Sequence, residues 1–230
     1  SSWFVSTYKV NLKEAKLEDI NEYRHFNDFF TRALKDGLRP ISDSKVVSPV
    51  DGVVSQFGSI EESLIVQAKG KKFSVEALLA DQSKKDLYTS FATIYLSPKD
   101  YHRIHMPLDG SLKSMKYIPG KLFSVNQNTV NNIDQVFARN ERLVCYFDTE
   151  FGEIALVMVG AIFVGSMETS WEGQITPPYI NSVKTFEYSS SQIKLSKGEE
   201  LGRFNMGSTV ILLLPHNSPN MNIESNKTLK

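Results

Sequence analysis

Cysteine is nearly absent from this chain. Cys145 is the single one, which excludes an intrachain disulfide and any zinc cage built from cysteine alone. It lies in the apolar run Leu143–Phe147 and reads as a small buried hydrophobe. An excess of either charge is missing too. Lys+Arg and Asp+Glu both number 26 among 230 residues, and no basic stripe of the kind a nucleic-acid binder carries is present, so nucleic acid is not an expected partner. No stretch approaches the roughly 20 apolar residues that span a bilayer, and no signal-peptide pattern opens the chain. There is no strong internal repeat and no low-complexity tract. An initiator Met is lacking as well: the chain opens inside the apolar phrase Ser1-Ser2-Trp3-Phe4-Val5, so a segment upstream of it is expected.

What is present is enough apolar material, 41% of the residues, for one globular domain or two small intertwined lobes. Residues 14–36 carry Leu17, Ile20, Tyr23, Phe26, Phe29, Phe30, Ala33 and Leu34 at three- and four-residue steps. That spacing predicts a helix, closed by Gly37 and prevented from resuming by Pro40. Its stripe packs on a core or faces a membrane. Beyond Pro40 the pattern changes to short β-branched and aromatic runs: Val46–Phe57, Leu64–Ala68, Phe91–Leu96, Ser111–Ile118, Leu143–Phe147, Ile154–Val159, Ala161–Val164, Ser182–Tyr188 and Thr209–Leu214. Gly, Pro, Asn and Asp punctuate them, and Ser74–Leu79 reads as one short helix. So many strands with few helices between them argue against a parallel βαβ sheet. The expected fold is α+β, a mainly antiparallel β core, barrel- or sandwich-like, with N-terminal helices packed outside. Residues 1–40 form the helical, membrane-proximal segment and 41–230 the β-rich catalytic domain. The polar tail after Pro215 is expected to fray.

Three places can carry chemistry. His102 and His105 lie in Asp100-Tyr101-His102-Arg103-Ile104-His105-Met106-Pro107. Pro98 and Pro107 leave room for a turn or one helical turn, in which positions three apart share a face. With a carboxylate nearby, His-x-x-His can also bind zinc. Asp51 sits in Pro49-Val50-Asp51-Gly52, which reads locally as a hairpin or bulge turn. Gly207-Ser208 places a hydroxyl beside an unobstructed carbonyl. Such a hydroxyl can attack the preceding carbonyl, given a base for its proton and donors for the oxyanion; the dipeptide is equally a plain turn before a strand. Asp51, His105 and Ser208 supply acid, base and nucleophile, but chain order says nothing of geometry.

Several ordered phrases resemble bacterial-type phosphatidylserine decarboxylases, from Phe26 to about Pro215. They are Pro49-Val50-Asp51-Gly52, the run Leu96–Pro107, Pro119-Gly120-Lys121-Leu122-Phe123-Ser124-Val125-Asn126, Phe137-Ala138-Arg139-Asn140-Glu141-Arg142, Phe147-Asp148-Thr149-Glu150-Phe151-Gly152 and Met206-Gly207-Ser208-Thr209. Met206 stands where the family usually has Leu, a volume-conserving exchange. The resemblance implies a proenzyme that cuts itself between Gly207 and Ser208, with Asp51, His105 and Ser208 as the self-cleavage triad. Ser208 becomes a covalent pyruvoyl group, the only cofactor implied, which forms a Schiff base with the substrate amine. His102 matches a histidine associated with decarboxylation; its nominal pKa near 6.5 lets it serve as the proton donor. Phosphatidylserine in a membrane is the implied partner. Chains 1–207 and 208–230 would remain together as a heterodimer, and a higher homo-oligomer is left open. The enzyme would sit peripherally on the cytoplasmic side of the cell membrane, with Trp3, Phe4, Phe26, Phe29 and Phe30 as docking candidates. No metal is implied. Two readings from other classes stand beside this one: a metal-dependent hydrolase using Asp51, His102 and His105, and a non-catalytic β-rich binding domain that stays whole.

Overall fold

A computed structural model describes residues 2–162, 166–177, 181–189, 192–205 and 209–230. Its centre is a nine-stranded antiparallel sheet, an open array among the described residues rather than a closed barrel. In spatial order its path runs Lys184–Glu187, Gly110–Ile118, Arg142–Thr149, Gly152–Val159, Thr209–Pro215, Tyr88–Tyr95, Gly52–Ser59 and Thr228–Leu229, and Lys194–Leu195 pairs with Gly110–Ile118 off this path. Arg142–Phe147, Glu153–Val159 and Thr209–Pro215 are buried at every position. These strands are covered on both faces, which is why they read as continuous apolar runs with no alternation. A smaller sheet holds Gly173–Gln174, Met167–Thr169, Glu200–Phe204 and Arg103–His105, in that order. The chain passes from Glu200–Phe204 of the small sheet to Thr209–Pro215 at the heart of the large one, so the expected cleavage site lies on the crossover between sheets. Gly207 and Ser208 themselves lie outside the described residues, as do Phe163 and Val164 of the expected strand Ala161–Val164.

Four local expectations change. Residues 14–36 do not form one helix: the structure has single turns at Leu12–Glu14 and Ile20–Glu22 and a short helix Phe26–Phe30. Asn11, Asp19 and His25 each accept a backbone N–H from a residue ahead, so the chain stops and restarts at each cap. The apolar stripe is real nonetheless. Phe4, from helix Ser2–Tyr8, meets Phe26, Phe29 and Phe30 with ring centroids 5.0, 6.0 and 6.1 Å away. The tail does not fray either: Thr228–Leu229 pairs with Gly52–Val53, and the Val54 amide donates to the Lys227 carbonyl at 3.0 Å. An unpaired edge strand needs such a cover. Asp51-Gly52 is not a hairpin turn but the entry to strand Gly52–Ser59. Glycine is required there because a Cβ would lie 2.5 Å from the Tyr95 carbonyl oxygen. Finally, Arg103–His105 is a strand, not a helical turn. The short helix is present as Val75–Leu79, with the Ser74 hydroxyl accepting the Ala77 amide.

Candidate active site

Asp51 and His105 come together; His102 lies apart from them. The His105 amide donates to the Pro49 carbonyl at 2.8 Å, which lashes the segment before Asp51 to the small sheet. Asp51, Tyr101, His105, Gly198 and Arg39 line one cavity of about 440 Å³. His105 is oriented by groups the sequence did not single out. Its Nδ1 stands 2.8 Å from the Gly198 carbonyl oxygen. A carbonyl only accepts, so Nδ1 carries the hydrogen and Nε2 is the basic nitrogen. The Tyr101 hydroxyl, 3.1 Å away, donates to that Nε2, and the two rings stack at 28°.

Among the described residues no hydrogen bond joins Asp51 to His105. Both Asp51 oxygens face Arg39, with Nε at 3.1 and 3.0 Å and Nη2 at 2.6 Å. Arg39 Nη2 also donates to Glu14 at 2.7 Å, and Lys230 Nζ reaches the other Glu14 oxygen at 2.9 Å. These partners raise the Arg39 pKa, the Asp51 bond most of all, and hold the Glu14 carboxyl down at about 2. The ion chain ties residues 14, 39, 51 and 230 into one unit. Nothing in the spacing of Leu38-Arg39-Pro40 announces this role.

His102 points elsewhere because extended backbone sends residues three apart to opposite sides. It is 1% exposed. Its ring lies against Phe30, centroids 4.2 Å apart, and Nδ1 donates to the Asp100 carbonyl at 2.8 Å. Burial pushes its pKa down to about 3, so the ring is neutral at pH 7 and the freely titrating histidine expected from the sequence is not found. Its Nε2 has no partner among the described residues, nor have the buried hydroxyls of Ser166 and Thr209. The residues that carry these three atoms flank the expected cleavage segment. The Phe204 amide donates to the His102 carbonyl at 3.1 Å, the Asn205 amide to the Ser166 carbonyl at 3.1 Å, and Thr209 follows Ser208 directly. Residues carrying unpartnered buried polar atoms are thus tied to both described ends of that segment, and a polar group is what would satisfy such atoms.

No group of three or more His, Cys, Asp or Glu is placed to hold a metal ion among the described residues. No helix among them is long and apolar enough to cross a membrane. A second cavity, of about 530 Å³, is lined by Phe30, whose ring packs on His102. Trp3, Phe4, Phe26, Phe30, Leu96 and Ile162 contribute to its walls.

A family profile described as phosphatidylserine decarboxylase matches residues 26–230. The chain belongs to that family, and it is accordingly a carboxy-lyase that decarboxylates phosphatidylserine. Among curated relatives, the phosphatidylserine decarboxylase proenzyme of Francisella tularensis subsp. holarctica (strain FTNF002-00 / FTA) is 55% identical over 227 residues, covering 97% of this chain and 80% of the relative. That of Francisella philomiragia subsp. philomiragia is 54% identical over 236 residues, covering 98% and 84%.

Proposed function

We propose that this chain is a self-cutting proenzyme in which the bond between Gly207 and Ser208 breaks and Ser208 becomes a pyruvoyl group. The observation that carries the reading is the set of orphaned buried polar atoms, His102 Nε2, Ser166 Oγ and Thr209 Oγ1, at both ends of that segment. In the first step the Ser208 hydroxyl attacks the Gly207 carbonyl, and its proton goes to His105 Nε2, the nitrogen that the Gly198 carbonyl leaves basic. Tyr101 holds that nitrogen until it is needed, and Asp51, clamped by Arg39, supplies negative charge to the same cavity. The bond from the Gly207 carbonyl carbon to the Ser208 nitrogen breaks, the nitrogen takes the proton back from His105, and the amide becomes an ester. Loss of the Ser208 Cα proton to a base then breaks the Cβ–Oγ bond, Gly207 leaves as a carboxylate that keeps both oxygens, and hydrolysis of the resulting dehydroalanine end, through its imine tautomer, releases ammonia.

When present, the pyruvoyl group supplies the electron sink that loss of carbon dioxide requires. His102 offers Nε2 as an acceptor in its resting state, so it must first be given a proton before it can return one to the former Cα. The two products, 1–207 and 208–230, stay associated as a heterodimer. The enzyme sits peripherally on the cytoplasmic face of the cell membrane. The cavity walled by Trp3, Phe4, Phe26 and Phe30 faces the lipid, and Trp3 and Ile162 are exposed at 72% and 51%.

Intact-mass measurement tests the maturation. Purified protein is expected as two fragments, the smaller one ammonia lighter than a serine-terminated peptide and blocked to Edman sequencing. Ser208→Ala should remain whole and inactive. An intact chain that decarboxylates phosphatidylserine would sink the reading.

A further inference from the structure

Glu141 is a buried carboxyl for which the maturation steps have no use. It is 3% exposed. The Tyr117 hydroxyl donates to Oε1 at 2.7 Å, while Oε2 receives no donor among the described residues. Its neighbour Arg142 does not neutralise it, because that guanidinium is spent on the carbonyls of Leu78, Ala77 and Asn140 at 2.6, 2.7 and 2.7 Å. Burial raises the Glu141 pKa, opposed by the Tyr117 bond.

Its place in the sheet gives that spare oxygen meaning. One register row crosses the sheet through Ile118, Arg142, Val159, Thr209, Tyr95 and Val53. Immediately past that row, on the side from which the chain enters at Thr209, stand Glu141, Gly160, Leu96 and Gly52. Only the strand ending at Val159 separates the strand of Glu141 from that of Thr209, two spacings or about 10 Å. Beyond that strand's end stands Gly160, which adds no side chain of its own to the gap; Leu122 Cδ2 would lie 3.4 Å from a Cβ there. A Cβ there would lie 3.8 Å from Glu141 Oε2. The position is rigid: the Gly160 amide donates to the Glu141 carbonyl, and the Asn140 amide group to the Gly160 carbonyl, both at 2.8 Å.

We propose that Glu141 receives the ammonium of the serine head group and takes from it the proton the amine must lose before it can attack a carbonyl. The nitrogen–hydrogen bond breaks, the nitrogen keeps the electron pair, and the carboxylate oxygen gains the proton. No other reactant is needed. The inference rests on the reading above that the substrate amine reacts at position 208.

Glu141→Gln tests it, because glutamine keeps an oxygen for Tyr117 and so preserves a purely structural role. Binding is measured by calorimetry in the uncut Ser208→Ala background, with short-chain phosphatidylserine and with the same lipid lacking its amine. Glu141→Gln should weaken binding of the first by about tenfold to a hundredfold and leave the second unchanged. Without the Ser208→Ala change, Glu141→Gln should be cut as the unsubstituted chain is and decarboxylate far more slowly. Equal lipid binding with and without Glu141→Gln overturns the proposal. So does failure of Glu141→Gln to be cut when the unsubstituted chain is cut. If the unsubstituted chain itself stays whole, the maturation reading fails, and the amine dependence of binding still decides the role of Glu141.

Discussion

Replacing Glu14 by glutamine removes one charge from the ion chain Lys230–Glu14–Arg39–Asp51 and changes little else. The carboxyl is held down from 4.5 to about 2, first by its hydrogen bond to Arg39 and then by that to Lys230. A shift of that size is worth about 3 kcal/mol at neutral pH. Glu14 keeps 24% of its side chain in solvent, and screening lowers the expected loss for Glu14→Gln to about 2 kcal/mol. In a chain of 230 residues that is a fall of about 4–8 °C in Tm. The sign with pH is fixed. The folded carboxyl is the stronger acid, so its stabilisation is complete above the unfolded value near 4.5 and drains away as pH falls toward 2. By pH 3 roughly half or more of it is gone. Calorimetric melting of both proteins in low salt, at pH 7 and at pH 3, reads the difference directly. A gap as wide at pH 3 as at pH 7, or one under about 1 °C at pH 7, would refute the account of the ion chain.

Other consequences are open to simpler assays. His102→Ala should be cut normally yet decarboxylate poorly, read by fragment masses and by carbon dioxide release; failure to cut would move His102 into maturation. Trp3→Ala combined with Phe4→Ala should reduce flotation with anionic liposomes by more than half, and unchanged flotation would remove the N-terminal aromatic cluster from the docking surface.

How much of this was legible beforehand depends on what each residue does. Strands such as Ile154–Val159 and Thr209–Leu214 were readable because burial on both faces demands unbroken apolar runs. The single helix expected over 14–36 is broken into short turns: its periodicity is genuine, but Asp19 and His25 cap the backbone inside it. Asp51 and His105 became candidates through the phrases around them, and the structure places both on one cavity. Their working partners left no such mark. Gly198 contributes a carbonyl that any residue would have, and Arg39 lies 12 residues before Asp51 with no pattern joining them. Tyr101 and Glu141 stood inside recognised phrases, but a sequence does not display a hydroxyl aimed at a histidine or a carboxyl left without a cation.

The position of Thr209–Pro215 fixes an order of events. This strand is not laid on the edge of the large sheet but threaded between Gly152–Val159 and Tyr88–Tyr95, and the same stretch of chain returns as Thr228–Leu229 beside Gly52–Ser59. A free peptide of that sequence would have to wedge itself between neighbouring strands of a sheet that had closed without it. While the chain is continuous, the strand is delivered to its slot by the residues on both sides of it. Under the proposed maturation, assembly must therefore come first and scission second, and the Gly207–Ser208 bond acts as scaffolding, struck only after the sheet it helped to build can stand without it.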